Sequence, residues 1–494
     1  LDMDNGKIYW GANGTLMNSA NLSTGTGFAF DNLLTTYPNN KQVVCSFGHY
    51  TGEKFRTRFS ASEWRYGPAS TDYKEISTAN MPALALPSGV PDASLFYNTV
   101  TYTGNGTAIG SGGQAITVGF QPDFVLIKNR DQNDDWRLFD SVRGAQNYLE
   151  PNSTNDQNQA IDRGETYPGG GYAEMLNAFT STGFTLGDNV SVNTNTENYV
   201  AICLKAGGAP SADNSGGRTP TNNSVMKAGV AQTASNYFAA STGTYPTRMS
   251  IAEHGGFSIF TYEGTGSNLT VPHGLDRAPE FVIVKAADGK RTWVCYHSGL
   301  ARTDPETDYI AIGGGGNNGG DPVVDDATQW NDTAPTATLL SLGTGGALNT
   351  SGSEGIAYAF AKTPGLIGIG SYRGNQGTAT GPYVHVDDGA FGFKPACLII
   401  KAAQDGGSGY DWFTYTNKTT NIYNTNVNSN LNEGLVSLNR NSTTSTVGSF
   451  PLQFTSTGFR VTGSNLSHNK SDKNFIYVAF AEEAFGNNIR PPSS

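Results

Sequence analysis

Apolar residues in this chain fall in short solid runs such as Phe124-Val-Leu-Ile127, Phe281-Val-Ile-Val284 and Cys397-Leu-Ile-Ile400, set between segments rich in Gly, Asn, Asp and Pro. No long stretch repeats its apolar positions at helical spacing, so the pattern predicts strands joined by turns and an all-β fold. A run that is apolar on both sides of the pleat suits a strand covered on both faces. The stretch from Val190 to Tyr199 alternates instead and predicts a half-exposed strand. β-Sandwich cores meet both requirements.

The runs recur. Pro followed by an apolar run and a Lys appears as Pro122-Asp-Phe-Val-Leu-Ile-Lys128, Pro279-Glu-Phe-Val-Ile-Val-Lys285 and Pro395-Ala-Cys-Leu-Ile-Ile-Lys401. Pro lacks the N–H that a ladder needs, so it is tolerated at the start of a strand. Trp-x-x-aromatic follows each run, at Trp136 with Phe139, Trp293 with Tyr296 and Trp412 with Tyr415. An apolar strand around Ala201, Ala359 or Ala479 lies 65, 66 or 67 residues beyond the Trp. Each unit opens on Tyr-x-Gly, at Tyr102, Tyr262 and Tyr372. Internal repetition of this kind fixes the architecture before any single element is assigned.

The repeats predict tandem β-sandwich domains, jelly-roll or concanavalin-like, at residues 91–207, 256–366 and 367–486. A Gly-, Ser-, Thr- and Asn-rich linker, with room for a short strand, is expected at 208–255, and a C-terminal tail at 487–494. Residues 1–90 lack the repeat signature and predict a different domain followed by a connector. The expected arrangement is an extended array, with the second and third repeats joined directly near Gly365 and packed together. The recurrent Trp residues are expected inside the sandwiches. Trp330, outside the repeat pattern in a polar loop, is the candidate platform for stacking a sugar.

Charge and composition then narrow the function. The 494 residues carry 31 Lys and Arg against 42 Asp and Glu, a net −11, with no basic run able to follow a phosphate backbone. Nucleic acid is therefore not expected as a partner. No apolar segment is long enough to cross a bilayer as a helix, so membrane insertion is not expected either. Cys45, Cys203, Cys295 and Cys397 lie far apart and read as buried thiols rather than metal ligands. The chain opens on Leu1 within a predicted strand, with no initiator Met or signal-peptide pattern, which predicts further sequence upstream.

Catalytic motifs are missing from the sequence: it has no G-x-S-x-G elbow, H-E-x-x-H, phosphate-binding loop or dinucleotide fingerprint, and no cofactor is expected. Gly313–Gly320 lacks the Lys and helix of a phosphate cradle and reads as a loop. Carboxylate groups in predicted loops, Asp131 with Asp134 and Asp325 with Asp326, are candidate hard-oxygen ligands for calcium, although none forms an EF-hand loop. Their alternative role is to cap turns. The same carboxylates are the material for a rival reading, a polysaccharide depolymerase with paired acids.

Leu1-Asp-Met-Asp-Asn-Gly-Lys-Ile-Tyr-Trp10, with Asn13-Gly14, resembles the later half of a SPRY, concanavalin-type, β-sandwich. Together with the Pro-run-Lys repeats and the later Trp, the whole resembles tail-fibre and tail-associated proteins of marine bacteriophages. That resemblance implies a partial SPRY-like domain followed by three sandwich repeats, located extracellularly in the virion tail. It implies attachment to a bacterial host through a surface glycan or an outer-membrane protein, contact with other virion tail proteins, a homotrimeric assembly, and no enzymatic activity. A spacer with no ligand of its own is the alternative.

Overall fold

The computed structural model describes residues 11–12, 15–16, 18–21, 24, 26, 92–158, 174–215, 219–234, 245–300, 304–313, 323–376, 381–403, 411–419, 436–439, 452–461 and 466–481. The chain divides into two units, Leu1–Ser88 with Phe485–Ser494, and Gly89–Ala484. In the first, Gly11–Ala12 pairs antiparallel with Thr15–Leu16. The rest of the SPRY-like motif and the 487–494 tail lie outside the described residues.

The second unit is all-β in separate sheets, and each repeat builds two of them. The larger sheet of the first repeat has five strands in the order Tyr97–Thr103, Asn198–Leu204, Phe124–Asn129, Arg137–Asp140, Tyr148–Leu149. The third repeat has the same order with Ile367–Arg373, Asn474–Ala481, Pro395–Ala402, Phe413–Thr416 and Val436–Ser437. The second repeats it with Phe257–Glu263, Glu354–Phe360, Phe281–Ala286, Trp293–His297 and Asp308–Ile312, then extends both edges to nine strands. Three of the added strands, Val225–Lys227, Val230–Ala231 and Arg248–Ile251, come from the segment read as linker.

A small second sheet covers one face of each larger one. In the first repeat Val125, Ile127, Phe139 and Tyr199 meet Ile116, Phe184 and Leu186 from Gln114–Thr117 and Gly183–Leu186. In the second, Val282, Val284 and Tyr296 meet Val271, Leu340 and Leu342. The expected strand over Val190–Tyr199 is a correction. Asn189 caps a helical turn at Val190–Asn193 by accepting from the Ser191 N–H, and the strand starts only at Asn198.

That turn ends on an Asn which explains the Tyr-x-Gly motif. Asn193, Asn349 and Asn469 are fully buried, and their Oδ1 atoms accept from the N–H of Asn105, Thr265 and Asn375 at 2.8, 2.7 and 2.8 Å. Tyr102, Tyr262 and Tyr372 donate their hydroxyls to the carbonyl just before each Asn. The Gly of the motif is required by close approach: a Cβ on Gly104, Gly264 or Gly374 would lie 2.2 Å from a backbone oxygen. The motif Lys is likewise structural. Lys128 and Lys285 are fully buried and donate to the carbonyls one and four residues on, closing the following turn.

The uncovered faces of the larger sheets pack on one another. Phe124 meets Phe257 and Tyr358 across the first joint, Phe281 meets Trp412 across the second, and Tyr97 stacks on Phe480 across the third. First, second and third repeats thus close on each other around a shared apolar centre, in place of the expected extended array. The recurrent Trp residues are also placed differently. Strand alternation turns Val294 and Tyr296 into the sandwich and sends Trp293 to the opposite face, where its Nε1 donates to Glu150 of the first repeat at 2.9 Å. Trp412 donates in the same way to Ala311 of the second repeat at 2.7 Å.

Candidate binding cleft

The joint between the first and second repeats differs from the other two in its chemistry. Asp140 ends a strand of the first repeat and Arg143 follows in the next turn, while Tyr358 lies in the last strand of the second repeat. The Tyr358 hydroxyl donates to Asp140 Oδ2 at 2.7 Å, and Arg143 Nε donates to the same oxygen at 2.6 Å. Asp140 Oδ1 accepts from the N–H groups of Val142 and Arg143. Burial pushes the Tyr358 hydroxyl well above its usual range, so it stays a donor. Burial opposes the charge on Arg143, but Asp140 and Tyr358 together outweigh it and keep the guanidinium ionised.

Over this buried triad opens a polar cleft of about 500 Å³. The first repeat contributes Arg143, Asn147 and Gln157, and the second contributes Glu263, Asp288 and Glu354. Asp213 and Arg248 enter from the segment between the repeats, joined by an ion pair at 2.5 Å, with Arg248 Nη1 also donating to the Val142 carbonyl at 3.4 Å. Asp288 accepts from the Glu354 N–H at 3.0 Å and from the Ser353 hydroxyl. Glu263 and Glu354 sit directly opposite each other in the antiparallel pair, a placement of like charges that costs stability. Enclosure raises the Glu354 carboxyl above its ordinary value, with Asp288 and Asp213 adding to the rise and Arg143 and Arg248 opposing it.

Guanidinium and amide donors thus share the walls with carboxylate acceptors. A polyhydroxylated ligand suits such a lining, because each hydroxyl both donates and accepts. The one aromatic in the wall, Tyr262, is fully buried and offers no stacking face.

The residues singled out from sequence lie elsewhere. Trp330 is not a platform: it is 1% exposed, packs edge-on to Tyr296 and donates Nε1 to the Asp308 carbonyl at 3.0 Å. Its polar sequence neighbours form turns above it while the indole fills the second sandwich. Asp131 accepts from the backbone and side chain of Asn198, and Asp134 accepts from Asn129. Asp326 accepts from Thr328 and Gln329, which hold its carboxyl below the usual range against the opposing effect of burial. Asp325 lies exposed in the edge strand Val324–Asp325. Of these carboxylates Asp326 caps a turn while Asp131 and Asp134 bond to asparagines of other segments, and among the described residues no three His, Cys, Asp or Glu gather where a metal ion could be held. Gly314–Gly320 lie outside the described residues, as does Cys45. Cys203, Cys295 and Cys397 are buried free thiols whose pKa burial raises.

Sequence reading missed the triad because Asp140 and Tyr358 stand 218 residues apart. One signal was available. Asp140 and Arg143 occupy positions where the other repeats have His297 with Leu300 and Thr416 with Thr419. A charged pair in one copy of a repeat marks a joint unlike the others.

Fold and cleft define an all-β repeat protein with a polar groove at an inter-repeat joint. A family described as a domain of unknown function, DUF7483, matches residues 92–232 and 222–484, and the chain belongs to it. Comparison with curated proteins and with solved structures finds no match.

Proposed function

We propose that this chain is a non-catalytic adhesion component of a phage tail which attaches to the bacterial host surface by binding a glycan in the Arg143–Arg248 cleft. The joint presence of guanidinium and amide donors and carboxylate acceptors in that cleft carries the reading. The resemblance of the repeats to tail-fibre proteins supports the setting, an extracellular virion protein that contacts other tail proteins and acts as a homotrimer. Several modest sites presented together gain avidity, which suits attachment. Among the described residues no helix is long and apolar enough to cross a membrane.

The test is titration of the full chain with oligosaccharides from host surface polysaccharide, followed by saturation-transfer NMR. Arg248 is partly exposed and makes its ion pair at the rim, so Arg248→Ala leaves the cores intact. The substitution is expected to weaken binding at least tenfold. Equal binding by the variant contradicts the cleft assignment, and release of new reducing ends from the polysaccharide favours the depolymerase.

The closed packing of the three repeats also favours a second reading, a rigid spacer with no ligand of its own. Failure of every host glycan to bind leaves that reading in place.

A further inference from the structure

The small sheet of the third repeat consists of Tyr383–His385, Gly458–Val461 and Leu452–Thr455, with Gly458–Val461 in the middle. Val384, Phe454 and Phe459 turn inward, which sends the residues between them to the outer face. On that face Tyr383 is 57% exposed, and Phe391, 46% exposed, follows in the loop after the first strand. Among the described residues only four large apolar side chains are this exposed, and these are two of them. The other repeats have small residues here. Around the inward pair Val384 and Phe459, the register sets Tyr383 opposite Arg460 and His385 opposite Gly458. Around Ile116 and Phe184 the same positions of Tyr383, Arg460 and His385 hold Ala115, Thr185 and Thr117. Around Val271 and Leu340 they hold Thr270, Ser341 and Pro272. The sandwich therefore does not need a ring at this place, and only the third copy has one.

The Tyr383 ring is held in one orientation. Its hydroxyl donates to Thr455 Oγ1 at 3.0 Å and lies 3.4 Å from Thr457 Oγ1. Thr455 stands on the far strand of the sheet, two strand spacings or about 10 Å from the Tyr383 backbone. A side chain that reaches it lies across the middle strand instead of standing away from the sheet. Beside Thr455 that middle strand has Gly458 and no side chain. One face of the ring is thereby laid on the sheet and the other is presented outward. Polar groups surround it, with the Thr455 and Thr457 hydroxyls at its tip and Arg460 on the neighbouring strand. His385 is exposed on the same face. Gly392, at φ 70°, closes against its imidazole, where a Cβ would lie 2.7 Å from Cε1.

We propose that this outer face is a saccharide platform that takes one pyranose ring on Tyr383. A pyranose of the β-galactose or β-glucose type has an apolar face of C–H groups and hydroxyls around its edge. The C–H face stacks on the fixed ring, and the edge hydroxyls exchange hydrogen bonds with Thr455, Thr457 and His385, side chains that each donate and accept. Because the ring is already held, little freedom is lost on binding. A protein partner fits the patch poorly. Two half-exposed rings offer roughly 200 Å² of apolar surface, against about 800 Å² per partner in a stable interface. The platform shares no residue with the Arg143–Arg248 cleft, whose wall offers no stacking face, and it stands independently of that assignment.

The probes are methyl β-D-galactopyranoside and methyl β-D-glucopyranoside at millimolar concentration with the full chain, read by saturation-transfer NMR. Sorbitol, a polyol without a rigid C–H face, is the control. Transfer is expected at the C–H protons of one sugar face and at least tenfold weaker for sorbitol. Tyr383→Ala should abolish it, Tyr383→Phe should keep part of it because the ring remains, and Arg248→Ala should leave it unchanged. Tyr383 is exposed, so its substitution opens no core and the far-UV spectrum should not change. Transfer to neither sugar, equal transfer to sorbitol, or transfer that persists in Tyr383→Ala overturns the proposal. Loss in Arg248→Ala with retention in Tyr383→Ala places the sugar in the cleft and also overturns it. So does a sugar-free oligomer, seen by sedimentation velocity, that Tyr383→Ala dissociates, because a second copy would then cover the ring.

Discussion

Replacing Asn349 by Ala strikes the element that locks each repeat. Asn349 is fully buried, and its Oδ1 accepts from the Thr265 N–H at 2.7 Å while Nδ2 donates to the carbonyls of Ser267 and Gly343 at 2.6 and 2.7 Å. Ala strands all three backbone groups. A net hydrogen bond contributes about 1 kcal/mol and a stranded buried group costs about 1–3 kcal/mol, so the loss should be roughly 3–5 kcal/mol. Against the roughly 5–15 kcal/mol of a typical domain this is a large fraction. Urea denaturation followed by Trp fluorescence and far-UV circular dichroism measures it on the full chain. Asn349→Asp separates bonding from volume, because it keeps the acceptor but faces two carbonyls with oxygen, and it should fare no better than Ala. A loss below about 1 kcal/mol, or a well-tolerated Asp, would refute the clasp and leave Asn349 as a space filler.

Trp412→Ala should cost roughly 3–5 kcal/mol by opening a cavity at the joint of the second and third repeats, and Trp412→Phe should recover most of it without the bond to Ala311; denaturation midpoints decide. Acid should destabilise the chain between about pH 6.5 and pH 4. His254, His273 and His297 are pushed down to about 4 and His468 to about 3, all by burial first. Gly256, Leu275 and Gly299 donate N–H to Nδ1 of the first three rings, which therefore stay neutral. The unfolded chain takes up protons first as pH falls, so stability is complete above the unfolded pKa and drains toward the folded one, by about 3 kcal/mol for each of the first three rings. A melting temperature flat from pH 7 to 4 would contradict this. Cys203, Cys295 and Cys397 should resist an aqueous thiol reagent at pH 8 until the chain is denatured, with peptide mapping to separate them from Cys45.

Strand content and the three copies were legible because apolar runs, turn residues and the motif spacing repeat locally. The partners of those motifs were not. Pro-run-Lys reads as a strand, but that Lys128 is buried to close a turn depends on carbonyls supplied after folding. Trp293 and Trp412 read as core residues, yet which face they occupy follows from strand parity, and their bonds reach across repeats. Trp330 shows the converse, a buried ring among polar neighbours. Arg248 and Met249 lay in a segment whose Gly, Ser and Asn content resembles a linker, and only the open edge at Phe257–Glu263 draws it into the sheet. The cleft was out of reach of local pattern because Asp140, Arg248 and Tyr358 meet through the closed packing of repeats.

Attachment to the host surface through the Arg143–Arg248 cleft is tested most directly by binding the purified chain, beside its Arg248→Ala variant, to intact candidate host cells before and after their surface polysaccharide is stripped. The account predicts saturable binding that is lost on stripping and weakened at least tenfold in the variant. Binding that survives both changes, or no binding to any susceptible host, would contradict it.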